Sequence, residues 1–62
     1  MTQKELSYCE DAIMHEESII KILSFIGENL DDEELISFTN GEISKHTSMK
    51  EKLMNLLEVC CE

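Results

Sequence analysis

Asn29-Leu30-Asp31-Asp32-Glu33-Glu34, residues 29–34, is the stretch that decides how this chain folds. Its four consecutive acids sit where a helix N-terminus favours negative charge, and Asp31 or Asp32 offers the side chain of an N-cap. Just upstream, Gly27 and Asn29 weaken the end of any helix that reaches them. One helix therefore ends at about residue 28 and another begins at about residue 33, with a turn at about 29–32. So short a connection makes the two helices antiparallel neighbours.

Upstream of the turn, Thr2 and Glu5 have the spacing of a capping box, which satisfies two orphan backbone donors at once and starts helix 1 at about residue 3. Steps of three and four then give an apolar stripe of Leu6, Cys9, Ile13, Ile20, Leu23 and Leu30, interrupted by Glu16 and Gly27. A second stripe runs beside it through Tyr8, Ala12, His15, Ile19, Ile22 and Ile26. The combined face is wider than one partner helix covers and suits a helix with two neighbours, as in a four-helix bundle. Downstream, Leu35, Phe38, Glu42, His46, Met49, Leu53, Leu56 and Cys60 recur at helical spacing and predict helix 2 over about 33–60. Ser37, Thr39, Asn40 and Gly41 are poor interior residues, so a break near Gly41 competes with that expectation.

Glu16 lies fifteen residues before Asp31 and His46 fifteen after it, so a chain that folds back there sets carboxylate beside imidazole. A carboxylate on a core-facing stripe is costly unless it is paired, hydrogen-bonded or bound to a metal. Glu42 stands one turn from His46 on the same face, and His15 adjoins Glu16. Two chemistries compete for this layer: a buried hydrogen-bonded network, or a site for iron, manganese or zinc with Glu16, His46, Glu42 and His15 as candidate ligands. Di-metal bundles use Glu-x-x-His, whereas the spacing here is Glu-x-x-x-His, with Lys45 where the histidine would fall. A third, weaker outcome is a partly exposed layer with no special role.

Sixty-two residues make one domain, 1–62, and a chain this short buries only about 60% of its unfolded surface. Association is the expected remedy, as a homodimer of helical hairpins closing a four-helix bundle. Fourteen acids against five lysines give a net charge of −9, which argues against phosphate backbones and anionic membrane surfaces. No apolar run approaches a membrane span, and the first residues lack the basic-then-apolar layout of a signal peptide. Three cysteines cannot form a complete disulfide framework and fit a reducing cytoplasmic compartment. Cys60 and Cys61 lack metal or redox spacing and are expected at a frayed helix end; the methionines are expected as gap-fillers. No local motif sets up a nucleophile or a phosphate loop, so enzymatic activity is left open only as simple redox chemistry at a metal held by Glu16, Glu42 and His46, with a non-enzymatic role the leading expectation.

The residues Lys4-Glu5-Leu6, Tyr8, Glu10-Asp11-Ala12, His15-Glu16, Asp32, Glu34-Leu35 and Lys45-His46 resemble the small ferritin-like proteins grouped with the spore coat F type of Bacillus and Clostridium relatives. The likeness spans nearly the whole chain. It implies a ferritin-like helical fold, intracellular expression linked to sporulation, and a structural role beside spore coat proteins. The family's His-Glu pair in helix 1 falls on His15 and Glu16, and its helix-2 histidine on His46. Ferritin-like oxidases carry two Glu-x-x-His motifs per bundle, a pattern from which Lys45 departs. Three functional classes stand side by side: a structural or assembly protein, a metal-binding bundle, and an acidic hairpin that docks a regulatory partner. The third lacks the Ser-Gln-Glu-Leu-Asp type of motif found in small sporulation phosphatases.

Overall fold

The computed structural model describes residues 1–60 apart from the side chain of Cys60, so the expectation for Cys60 and Cys61 lies outside the described residues. Thr2, in extended conformation, accepts a hydrogen bond from the Glu5 backbone at 3.1 Å and donates its own N–H to Glu5 Oε1 at 2.8 Å. This reciprocal box starts α1, Gln3–Glu28. Asn29 ends it, its backbone N–H reaching Ile26 O at 3.0 Å and its Nδ2 donating to Phe25 O at 2.8 Å, which satisfies carbonyls the helix leaves open. Of the two candidate caps, Asp32 is the one used. Its Oδ1 accepts from the backbone of Glu34 at 2.9 Å and of Leu35 at 3.1 Å, and α2 follows over Glu33–Cys60.

The described chain is all-helical, a hairpin of two packed antiparallel helices in a body measuring 45 × 15 × 11 Å. α2 passes through Gly41 without a break. Thr39, one of the poor interior residues beside Gly41, satisfies its hydroxyl on Leu35 O at 2.8 Å and needs no partner across the interface.

α1 faces α2 with the expected row, a 3-4-3-4 progression from Leu6 through Cys9, Ile13, Glu16, Ile20 and Leu23 to Gly27, all shielded, and Leu30 of the turn is shielded as well. α2 differs from expectation. Its shielded row is Ile36, Thr39, Ile43, His46, Lys50, Leu53 and Leu57, while Leu35, Phe38, Met49 and Leu56 are exposed. The physical reason is registry. Two straight helices in contact keep an alternating 3-4 step, and 36-39-43-46-50-53-57 is unbroken, whereas the apolar row needs two steps of four in succession at Phe38, Glu42 and His46. Threonine, histidine and lysine thus take inward positions and four large apolar side chains are turned outward.

Among the described residues no apolar side chain is fully buried, and the two least exposed positions are polar: Thr39 at 5% and Glu16 at 9%. The helices approach closely where Gly27 faces Thr39; a Cβ on Gly27 would lie 3.6 Å from Thr39 Cγ2. This tight end, the capped turn and the shared rows hold the layer at the middle of the hairpin in place.

Candidate functional site at the Glu16–His46 layer

Glu16 is presented by the middle of α1, flanked one turn away by Ile13 and Ile20, and His46 by the middle of α2, between Ile43 and Lys50. The fold brings them together as their equal distances from the turn imply: His46 Nδ1 lies 2.6 Å from Glu16 Oε2. A carboxylate can only accept, so with Glu16 ionised the proton sits on Nδ1 and His46 donates. The bond is short, as expected for a charge-assisted contact shielded from water.

That bond orients the ring. His46 Nε2 then faces Glu42 Oε2 at 3.8 Å, too long for a hydrogen bond but within ion-pair range when the imidazole is protonated. When it is neutral, Nε2 carries a lone pair beside a carboxylate. The site is therefore a carboxylate–imidazole–carboxylate line. Glu16 is its shielded end and Glu42 its more open one.

His15 does not join the line. It is exposed on the neighbouring side of α1, and no hydrogen bond or ion pair links it to Glu16, Glu42 or His46. Among the described residues no group of three or more His, Cys, Asp and Glu side chains is disposed to hold a metal ion. Within one chain, then, the donors that combine are His46 and its two glutamates. No fully buried side-chain polar atom among the described residues lacks a hydrogen-bond partner.

Lys50 was not among the residues the sequence singled out. It lies one turn beyond His46 on the shielded row, and its Nζ reaches Glu17 Oε2 at 3.1 Å, bridging the helices next to the Glu16–His46 bond. A partly exposed pair of this kind adds at most about 1 kcal/mol, but it adds a second polar tie at the same level. The signal that would have found it is the 3-4 progression carried through polar residues. Thr47 shows the same economy as Thr39, its hydroxyl donating to Ile43 O at 2.7 Å.

Comparison of the chain with protein-family models, with curated proteins and with solved structures gave no match. The described helices include none long and apolar enough to cross a membrane.

Proposed function

We propose that this chain is a small structural or assembly subunit, ferritin-like in architecture, that pairs with a second copy into a four-helix bundle whose register is set by the Glu16–His46 layer. The resemblance to spore coat F-type proteins makes the spore coat the proposed setting and coat proteins the proposed neighbours. One observation carries the reading: the shielded layer of a hairpin with no fully buried apolar side chain among its described residues holds a 2.6 Å carboxylate–imidazole bond. Apolar rows slide past one another at small cost, whereas a slip of one heptad would leave Glu16 without its partner and shielded from water. Polar pairs in this position select one alignment.

A hairpin with so little shielded apolar surface needs a partner to be stable. Light scattering at micromolar concentration should report at least a dimer, with a melting temperature that rises with protein concentration. A stable, concentration-independent monomer would overturn the reading.

A second reading is favoured by one detail of the same layer. With Nδ1 engaged by Glu16, His46 Nε2 and Glu42 have the arrangement of a metal-binding imidazole steadied by a carboxylate behind it. One chain supplies too few donors for a closed site, and a twofold partner would double them. Metal-free protein titrated with iron(II), manganese(II) and zinc(II) decides this: saturable binding that His46→Ala abolishes supports the metal site, and its absence leaves a scaffold.

A further inference from the structure

The chain exposes 5003 Å², whereas a compact folded chain of its mass, 7.2 kDa, exposes about 4,100 Å². The excess is about 900 Å² per chain, or about 1,800 Å² for a pair, which is the size of a standard specific protein interface. The position of that surface follows from helical geometry. Measured round each helix at about 100° per residue from its shielded row, Ile19 and Ile26 of α1 lie about 80° away and Tyr8 about 130° away in one sense. Met49 and Leu56 of α2 lie about 80° and Phe38 about 130° from theirs in the same sense. Because the helices are antiparallel, equal rotation brings both sets to one side of the hairpin.

The opposite side has a different chemistry. Glu10, Glu17, Glu28, Glu51 and Glu58 project there, and the Glu17–Lys50 bridge crosses between the helices on that side. The apolar side is bordered at mid-length by His15, Glu42 and Lys45, whose charges nearly cancel, although the chain as a whole carries −9. Two copies meeting through the acidic sides would oppose carboxylates, while two copies meeting through the apolar sides keep those carboxylates in water.

We propose that a second copy of this chain docks on the face formed by Tyr8, Ile19, Ile26, Phe38, Met49 and Leu56, with the acidic face left outward. This rests on the bundle reading above and specifies its interface. It also places Glu42 and His15 at the seam between the two copies.

The methionines test it without any substitution. Met49 lies on the proposed face, and Met54 on the acidic side of the same helix; their exposures in the hairpin are nearly equal, 41% and 47%. Met14, also exposed, lies on the far side of α1. Thioether oxidation by hydrogen peroxide follows exposure, so a single hairpin would oxidise Met49 and Met54 at similar rates. In associated protein Met49 should oxidise several-fold more slowly than Met54 and Met14, read by mass spectrometry of tryptic peptides, which Lys50 and Lys52 separate. On dilution to the monomer, its rate should rise to that of Met54. Equal rates in protein that sediments as a dimer would overturn this face and leave association intact. A protein that sediments only as a monomer would overturn the bundle reading as well. Slow oxidation of Met49 that persists in the monomer would also overturn the proposal, since the protection would then come from within one chain.

Discussion

The Glu16 carboxylate has three neighbours by which its role can be measured: His46 across the interface, the apolar turns of α1 on either side, and solvent at the edge. Glu16→Ala removes the acceptor and leaves the imidazole shielded without its partner, an expected loss of about 1–3 kcal/mol. Glu58→Ala, on the exposed side of α2, should stay within about 0.5 kcal/mol of the parent. Urea unfolding of the two variants compares them, and equal losses would show that the 2.6 Å bond contributes nothing to stability. The double variant Glu16→Leu/His46→Leu should behave unlike Glu16→Ala, because hydrocarbon that replaces both members of a shielded polar pair can do so without loss while relaxing its control of alignment. Its stability should match or exceed the parent's, with loss of a single oligomeric state in sedimentation.

Glu5 is a second residue with a definite electrostatic signature. Its carboxyl is held below the usual carboxylate range, first by the backbone N–H of Thr2 and then by the Thr2 side chain. In the unfolded chain the group returns to its ordinary, higher value, so the box contributes fully above that value and is lost as pH falls through the folded one. A carbon-detected titration of Glu5 should give a midpoint below that of the exposed glutamates. In Glu5→Gln the N-terminal turn should lose this acid dependence, and an unchanged acid limb would show that the box does not hold in solution.

α1 was legible as an element because apolar residues and helix-facing positions coincide along it, broken only by Glu16 and Gly27. α2 was legible in extent but not in orientation. Its inward row holds Thr39, His46 and Lys50, so the stronger apolar signal at Leu35, Phe38, Met49 and Leu56 marks a different side of the same helix. The feared break at Gly41 does not occur, and glycine there lacks both a positive φ and any neighbour within 4 Å of an added Cβ. Nothing in the packing requires it. Gly41→Ala should therefore stabilise the protein by about 0.5–1 kcal/mol through helix propensity alone. Thermal unfolding measures the gain, and a loss would mean that α2 bends there in its working state. Gly27→Ala should also be tolerated, its new methyl in ordinary contact with Thr39 Cγ2 at 3.6 Å.

As a whole the hairpin is two-sided, one side apolar and one acidic, and the net charge of −9 resides mainly away from the apolar side. Self-repulsion on this scale opposes both folding and pairing at low ionic strength. Raising salt from about 0.01 M to 0.15 M shortens the screening length from about 30 Å to 8 Å, less than the thickness of the hairpin. The melting temperature should accordingly rise over that range, as should the dimer fraction at fixed protein concentration. A fall in both would mean that attraction between opposite charges, such as Glu17 with Lys50, outweighs the repulsion.

The two helices, the cap at Thr2 and one at Asp31 or Asp32, the turn between them and the meeting of Glu16 with His46 were determined by the sequence itself, the structure choosing Asp32. Capping is a local matter of side chain and neighbouring backbone, and residues equidistant from a short turn must face one another in an antiparallel pair. Which side of α2 turns inward was decided only in the tertiary structure. Hydrophobicity favoured one row, but an unbroken 3-4 step against α1 and the Lys50–Glu17 bridge select another, the two rows sharing only His46 and Leu53. Thr39 and Thr47 make that choice affordable by satisfying their hydroxyls within α2, so a polar row can pack inward while the apolar row is left at the surface.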